Sequence, residues 1–284
     1  DLPGAVGYFG GYEQLAPRKL NRNLVNLRPR ERTVSIRGMS ARYRDYHQDY
    51  KVVLEEIHLD LYRGERVAIV GNNGAGKSTL MRLIARLMRP TTGSIEVLGE
   101  DISELSPEEV SNSVAFIYQN PEEMFIDDSI QSDVAYYLKA RQVKGYEERV
   151  QQILETLNLS DIQERDARLL SGGQQRRVSL AIGMGMAPKL ILLDEPTGSL
   201  DIASRRELLK LLEILKVHIQ TAVVSTHDMQ LVADWATRVI VLSAGRIIFD
   251  GLPQELFVNR EVMATANLKA PQIVELSLAL GMDP

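Results

Sequence analysis

The stretch Gly71-Asn72-Asn73-Gly74-Ala75-Gly76-Lys77-Ser78 decides the fold of this 284-residue chain. It fits the pattern G-x-x-x-x-G-K-[ST] of a phosphate-binding loop. Residues 66–70 before it have the apolar composition of a short buried strand, and residues 78–88 after it have the pattern of a helix. A strand, a glycine-rich loop and a helix in this order are the context that such a loop needs. The alternative, an ordinary glycine turn between a strand and a helix, is disfavoured by these flanks.

The chemistry expected of this loop is phosphate binding. Glycines allow successive backbone N–H groups to surround a phosphate, and the helix N-terminus adds partial positive charge. We expect Lys77 to reach the β- and γ-phosphates of a nucleotide and Ser78 to ligate Mg²⁺.

A second apolar run, residues 190–193, ends in two acids, Asp194 and Glu195. In open α/β sheets, ligands bind beyond the carboxyl ends of the strands. We expect Asp194 to hold Mg²⁺ through its water shell, and Glu195 to orient and deprotonate an attacking water. The alternative is a central strand with unrelated acids at its end. His227 ends another apolar segment, residues 221–226, and is equally compatible with a structural histidine.

The stretch Leu170-Ser171-Gly172-Gly173-Gln174 resembles the signature motif of ABC-type ATPases, and it lies between the two segments above in that family's order. The resemblance covers about residues 33–255. It implies that Gln119 is the glutamine that contacts Mg²⁺ and water, that His227 is the switch histidine, and that Tyr43 stacks on adenine. Residues 199–201 resemble the D-loop. The catalytic residues would be Glu195, His227 and Gln119, and the metal ligands Ser78, Gln119 and Asp194. The ATP-binding residues would be Tyr43, Gly71, Asn72, Asn73, Gly74, Ala75, Gly76, Lys77, Ser78, Thr79, Ser171, Gly172, Gly173 and Gln174.

The resemblance also implies the architecture. We expect an α/β P-loop NTPase fold, with a RecA-like parallel sheet core, an antiparallel β portion and a helical subdomain at about residues 122–178. The ATPase domain would span residues 33–284, with a short C-terminal helical extension at about 258–284. Residues 1–32 have glycines and no clear periodicity, and are interpreted as a linker or tail.

The coarse pattern predicts these elements. Strands are expected near residues 33–39, 66–70, 94–98, 114–118, 189–193, 221–225, 238–242 and 246–249. Helices are expected near residues 77–88, 106–112, 130–140, 146–157, 173–185, 202–216, 228–236, 253–257 and 271–281.

Domains of this family work in pairs, which the resemblance extends to this chain. ATP, the expected cofactor with Mg²⁺, would lie between the phosphate loop of one domain and the signature of its partner. Residues 171–173 begin a second helix, whose backbone amides suit a phosphate supplied by another domain. The expected partners are a second ABC ATPase domain, identical, paralogous or fused in tandem, and a transmembrane transporter subunit. The chain begins at Asp1, which is compatible with part of a longer tandem protein and equally with processing.

Three segments resemble the energy-coupling-factor importers. They are residues 118–122 (Tyr-Gln-Asn-Pro-Glu), residues 133–136 (Asp-Val-Ala-Tyr) and the tail at residues 268–276. Met124 departs from that branch, where glutamine is common. We expect Met124 and Phe125 to line a groove for an apolar helix of the membrane subunit, because both side chains suit an apolar contact. The alternative is that both pack into the core of the helical subdomain.

The composition of the chain argues against several classes of site and function. The chain has no cysteine, so it has no disulfide or thiolate metal site. Its net charge of -5 argues against general affinity for nucleic acid. No apolar run is long enough to span a membrane, and no signal peptide is recognisable. The resemblance to a transporter ATPase implies a peripheral protein on the cytoplasmic face of the membrane. The basic stretch at residues 15–44 is interpreted as a solvated linker, or alternatively as a contact for anionic lipid head groups or for a partner surface that tolerates basic residues.

The leading interpretation is an ATPase that powers substrate import as part of an ABC or energy-coupling-factor transporter. A soluble ABC ATPase that acts on ribosomes or DNA is the alternative, although no long coiled coil or basic arm follows residue 45. A non-hydrolysing regulatory subunit is a third possibility. The presence of Lys77, Asp194, Glu195 and His227 argues against it.

Overall fold

The structure is a computed structural model that describes residues 31–44, 50–198, 202–215 and 219–280. The predicted linker at residues 1–32 falls almost wholly outside the described residues, as does the expected D-loop at residues 199–201.

The described strands are β1 (Arg32–Arg44), β2 (Tyr50–Tyr62), β3 (Arg66–Val70), β4 (Thr92–Val97), β5 (Glu100–Asp101), β6 (Val114–Ile117), β7 (Leu190–Asp194), β8 (Thr221–Ser225), β9 (Arg238–Ser243) and β10 (Arg246–Gly251). The described helices are α1 (Lys77–Ile84), α2 (Pro107–Ser111), α3 (Ile130–Ala140), α4 (Tyr146–Thr156), α5 (Gly172–Gly185), α6 (Ile202–Leu215), α7 (Met229–Trp235), α8 (Pro253–Val258), α9 (Arg260–Thr265) and α10 (Gln272–Ala279).

The central sheet has six strands in the order β10-β9-β3-β8-β7-β6. All neighbours in it are parallel except β10, which pairs antiparallel with β9. Strand β7 is buried along its whole length, as an apolar run in a covered parallel sheet should be. The carboxyl ends of β3, β7 and β8 therefore meet at one edge, where the phosphate loop also begins.

A second, antiparallel sheet has four strands in the order β2-β1-β4-β5. The side chains between this sheet, α1 and the central sheet form one apolar cluster, which includes Ile36, Leu54, Leu83 and Leu192. This cluster holds the phosphate loop between two sheets. The expected α/β fold with an antiparallel portion is confirmed.

The helical lobe packs around its own apolar cluster. Helices α3, α4 and α5 contribute Val134, Leu154 and Val178 to it, and Ile117 of β6 continues it into the central sheet. Ser129 precedes helix α3, and its side chain accepts from the Ser132 N–H and caps the helix. The lobe is thus joined to the sheet through apolar contact, at the end of the strand that leads to Gln119.

Several elements of the structure differ from the prediction. The long strand β2 was not predicted, although Ile57, Leu59 and Leu61 alternate with polar residues in its second half. The alternation breaks where Glu56 adopts a φ of 50° beside shifts in the β1–β2 register, which hides the strand from a pattern search. Helix α1 ends at Ile84 rather than 88, because the chain leaves helical geometry and Arg86 adopts a φ of 60°. Helix α9 was also not predicted as a separate element.

Within the described residues, no helix is both long enough and apolar enough to cross a bilayer.

Candidate functional site

The phosphate loop takes a backbone path that only glycine fits. Gly71 has a φ of 144° and Gly76 a φ of 104°, both in the region that L side chains rarely adopt. A Cβ on Gly71 would collide with the Leu242 carbonyl oxygen, and one on Gly76 would lie 2.6 Å from Leu54 Cδ2. The glycines therefore allow the loop to lie directly against β9 and β2.

Lys77 presents a buried positive charge at the floor of this loop. Its Nζ donates to the carbonyl oxygens of Gly71 at 2.8 Å and Asn72 at 3.2 Å, and lies 3.9 Å from Glu195 Oε1. Burial lowers the pKa of Lys77, while the negative charges of Glu195 and Asp194 act in the opposite direction. An anion in the loop would stabilise this charge further.

Two hydroxyl groups converge on Asp194 at the end of β7. Ser78 Oγ donates to Asp194 Oδ1 at 2.9 Å, and Ser225 Oγ donates to the same oxygen at 2.5 Å. Ser225 is opposite Asp194 in the parallel register of β7 and β8. The carboxylate is thereby placed directly beside the first turn of α1.

Glu195 follows Asp194 in a strained backbone conformation. Its φ is 44°, which is uncommon for a residue with a side chain and is typical of functional sites. The Glu195 N–H donates to the Ser225 carbonyl oxygen at 3.0 Å, which stabilises this turn. Glu195 Oε2 lies 2.9 Å from Nδ1 of His227, whose side chain is 68% exposed. The carboxylate is thus held between the exposed histidine and the buried lysine.

A cavity of about 380 Å³ opens over these groups. It is lined by Val53, Asn73, Gly74, Gly76, Lys77, Ser78, Thr79, Gln119, Glu195 and His227. The structure therefore brings together the phosphate loop, the expected base, the expected switch histidine and Gln119, with Asp194 hydrogen-bonded to the cavity-lining Ser78.

The oxygen donors at this edge fit Mg²⁺. Magnesium is commonly bound through one or two protein oxygens, with water and substrate phosphates completing its shell. Ser78 Oγ and Asp194 supply two such oxygens side by side. Among the residues that the structure describes, no cluster of three or more His, Cys, Asp or Glu forms a cage for a metal. The donor set therefore suits an ion held mainly by a nucleotide.

Other expected site residues lie apart from the cavity lining. Tyr43 is half-buried on β1, and its hydroxyl donates to Met88 Sδ at 2.9 Å. Ser171 precedes α5 and is exposed, and Gln174 Oε1 accepts from the Ser171 N–H at 3.1 Å. Neither Tyr43 nor residues 171–174 line the cavity. The signature therefore does not complete this chain's own cavity.

Two residues at the site were given no role from the sequence. Ser225 reaches Asp194 only because their strands pair in register, although its place at the end of a predicted strand, just before Thr226 and His227, was an available signal. Arg176 donates to the carbonyl oxygens of Tyr118 and Gln119, and no short motif indicates such a contact.

The groove expected at Met124 and Phe125 was a wrong prediction. Their side chains are 9% and 8% exposed and belong to the apolar cluster of the helical lobe. The turn that begins at Pro121 directs both inward, and the next residue, Ile126, is the exposed one, at 55%. Packing in the lobe's own core is therefore the correct alternative.

Comparison with known proteins gives consistent results. The sequence profile of the family described as ABC transporter matches residues 54–198, which is about half of the chain. The energy-coupling factor transporter ATP-binding protein EcfA of Malacoplasma penetrans is 34% identical over 266 residues, which cover 93% of this chain and 91% of that protein.

Two solved structures extend the comparison to the fold. The protein cbiO1 of Clostridium perfringens, described as part of the ABC transporter complex cbiONQ, has a TM-score of 0.70 and 29% identity, covering 87% of this chain and 99% of that one. An ATP-binding cassette solved as a dimer after hydrolysis, bound to ADP and Pi, has a TM-score of 0.69 and 26% identity, covering 78% of this chain and 98% of that one.

Some relatives are much longer than this chain. It spans 38% of the length of a relative from Methanosarcina acetivorans and 58% of the length of one from Methanospirillum hungatei.

Proposed function

The chain belongs to the ABC transporter family of ATP-binding proteins, and from this membership we propose that it is an ATP-hydrolysing subunit that powers substrate import across a membrane. Its relatives include an energy-coupling factor ATP-binding protein and a component of the cbiONQ transporter complex. The resemblance of residues 118–122 and 133–136 to the energy-coupling-factor importers supports the same branch.

The observation that carries the proposal is one cavity with two kinds of group. One side supplies a cationic phosphate cradle, with Lys77 and the N-terminus of α1. The other side supplies a carboxylate, Glu195, held by His227 at 2.9 Å. A protein that only binds ATP needs the phosphate cradle alone. Hydrolysis also needs a general base, and the positioned carboxylate of Glu195 can provide it.

Each residue has a chemical role in this proposal. Lys77 neutralises the β- and γ-phosphates, and the loop amides orient them. Glu195 orients a water and accepts its proton at a carboxylate oxygen, while His227 holds that carboxylate in place. Gln119 lies at the cavity wall, where it can contact the same water. Bound Mg²⁺, held by Ser78 and Asp194, would supply charge neutralisation on the phosphates.

A second ATPase domain is part of the proposal. The signature residues 171–174 lie outside this chain's cavity lining, so they are free to serve the cavity of another copy. The dimeric cassette noted above, bound to ADP and Pi, is consistent with such a pair. The partner is an identical chain, a paralogue or a domain fused in tandem. A transmembrane subunit would hold the pair peripherally at the cytoplasmic face of the membrane.

The decisive test of hydrolysis is Glu195→Gln. The amide cannot accept a proton, so we expect phosphate release to fall by about 10²–10⁴-fold while ATP binding is retained. Glu100→Gln, which makes the same change at an exposed site on β5, is the matched control and should hydrolyse ATP normally. Turnover near that of the parent in Glu195→Gln would place the base elsewhere.

The transport part of the proposal needs its own experiment. The chain would be purified from native membranes in mild detergent, and its co-purifying subunits and bound small molecule identified by mass spectrometry. A transmembrane subunit in stoichiometric amount supports import. Stoichiometric ribosomal proteins or DNA in its place would support the alternative function.

A further inference from the structure

Arg176 makes a contact that the roles above do not use. It lies in the second turn of α5, the helix that begins at the signature residues. The side chain is buried, and its two terminal nitrogens donate to the carbonyl oxygens of Tyr118 at 2.9 Å and Gln119 at 2.7 Å. Burial lowers the pKa of Arg176 to about 10, which leaves the guanidinium charged at neutral pH.

This contact is strong and directional. A planar guanidinium donates through a rigid fork, and hydrogen bonds from a charged donor are stronger than neutral ones. The two carbonyls belong to consecutive residues, so the fork fixes both the position and the orientation of the Tyr118–Gln119 backbone. The negative charge of Asp194, the carboxylate expected to hold Mg²⁺, favours the charged form of Arg176. A buried cation of this kind is costly unless its hydrogen bonds are kept.

The rest of α5 is packed closely against the elements that lead to this loop. A Cβ on Gly183 would lie 2.5 Å from Ile117 Cδ1 of β6, and one on Gly185 would lie 2.5 Å from the Val134 carbonyl oxygen of α3. Gly172 and Arg176 are four residues apart, so they share one face of the helix. A shift of the Gln119 backbone therefore reaches the second turn of α5 through Arg176, beside a hydrogen bond from Gln175 Nε2 to Glu122 Oε1 at 3.3 Å that also joins this segment to the helix.

We propose that Arg176 is a positioning residue that links Gln119, in this chain's own cavity, to the signature residues 171–173, which serve the cavity of a second domain. The inference deepens the proposed function and rests on it. Contact between Gln119 and a bound nucleotide moves the loop backbone, Arg176 moves with the two carbonyls, and the N-terminus of α5 follows. Occupancy of one site is thereby communicated to the other.

The link can be measured directly because the chain has no cysteine. Spin labels are attached through Leu169→Cys, 84% exposed beside the signature, and Glu100→Cys, exposed on β5. The label-to-label distance is recorded by pulsed electron resonance with and without ATP and Mg²⁺, in a Glu195→Gln background that retains the nucleotide. We expect ATP to shift the distance, and Arg176→Ala to reduce the shift strongly although calorimetry shows that the variant still binds ATP.

The matched control is Arg177→Ala. Arg177 is the next residue of the same helix and pairs with Glu207 at 3.5 Å. Its loss removes the same charge without releasing the carbonyls of Tyr118 and Gln119, so the shift should persist. Arg176→Lys should give a smaller shift than the parent, because an ammonium lacks the planar fork. In the assembled pair, Arg176→Ala should also lower the coupling between the two ATP sites by about fivefold or more, seen as a Hill coefficient nearer to one.

The outcomes separate the two proposals. A full shift in Arg176→Ala, or no shift in a parent that binds ATP, would overturn the role of Arg176. If Arg176→Ala fails to fold, as shown by thermal melting, Arg176→Lys decides, and a parent-like shift in that variant contradicts the inference. Failure of the parent to bind ATP would instead reject the proposed function itself.

Discussion

Lys77 shows how one residue joins folding to function. Its ammonium group is buried, and a buried charge is costly unless hydrogen bonds or opposite charges compensate it. Two carbonyl oxygens and the field of Glu195 and Asp194 provide part of that compensation. A bound triphosphate would provide the rest. The chain thus holds a site that is preorganised for an anion, at some cost to its own stability.

Lys77→Ala should therefore weaken ATP binding strongly. Loss of one partner of a buried, hydrogen-bonded charge pair costs about 2–5 kcal/mol, which is a decrease of roughly 30-fold or more in affinity. Isothermal titration calorimetry is the measurement, with Lys189→Ala, an exposed lysine at the other end of the sheet, as the control. Unchanged affinity in Lys77→Ala would contradict the phosphate-loop assignment.

The same residue predicts a pH dependence. Because burial lowers the pKa of Lys77, its charged form is lost at a pH below the ordinary lysine value of 10.5. ATP affinity should be retained below the pKa of Lys77 and should fall as pH rises through it. Lys77→Ala should remove this alkaline decrease, provided that the protein is still folded by circular dichroism at the same pH.

At the scale of single elements, α5 has two different ends. Its first turn, at Ser171 and Gly172, is exposed and lies outside the cavity lining. In its last turns, Gly185 packs against the backbone of α3 with no space for a side chain, and Gly183 packs against Ile117 of β6. The helix is thus anchored at its C-terminus, and its N-terminus is left exposed.

Ser171→Arg tests the exposed end. A long cation there would occupy the place of a partner's γ-phosphate, so hydrolysis should fail while the isolated chain still binds ATP. Calorimetry on the dilute monomer and phosphate release from the assembled pair would give the two readouts. Weaker ATP binding by the monomer would mean that the signature contributes to its own cavity.

Gly185→Ala tests the anchored end. Alanine normally stabilises a helix by about 1 kcal/mol relative to glycine. Here the new Cβ would lie 2.5 Å from a backbone oxygen of α3, and such overpacking costs about 1–3 kcal/mol. Denaturant unfolding should therefore show a loss of stability. Gly172→Ala, where the Cβ meets nothing within 4 Å, should be at least as stable as the parent. Equal stability of both variants would disprove the close approach.

At the scale of the whole molecule, two apolar clusters meet at β6, which contributes Val114 and Phe116 to the cluster between the sheets and Ala115 and Ile117 to the cluster of the helical lobe. The segment that leaves β6 runs from Gln119, at the cavity, to Met124 and Phe125, inside the lobe. Its buried residues secure the lobe, and its polar start lies at the nucleotide site. A change at the cavity can therefore reach the lobe over a few residues.

Phe125→Asp and Ile126→Asp form a matched pair that tests this arrangement. Phe125 is buried in the lobe, so a charge there should lower the free energy of unfolding by about 3–5 kcal/mol or more. Ile126 is exposed, so the same substitution should leave unfolding nearly unchanged. Denaturant titrations of both variants provide the comparison. Similar destabilisation by both variants would show that Phe125 and Ile126 are not buried to the different extents that the structure describes.

The local patterns of the sequence were sufficient for the phosphate loop, the strand that ends at Asp194, and most helices, and the ABC family followed from the order of motifs. These features depend on hydrogen bonds and periodicities within a few residues. The same information could not reveal β2, because a bulge interrupts its alternation at Glu56. It could not decide whether Met124 and Phe125 face a groove or a core, since both environments are apolar.

Tertiary structure alone decided how these motifs meet. Ser78 and Asp194 are 116 positions apart, and Glu195 and His227 are 32 apart, yet each pair lies at hydrogen-bond distance because parallel strands end at one edge of the sheet. The contact of Arg176 with the carbonyls of Tyr118 and Gln119 depends on how α5 packs against β6. Contacts of this kind arise from the packing of distant segments, which no local pattern encodes. The sequence alone therefore determined the type of chemistry, and the fold determined which groups are close enough to perform and couple it.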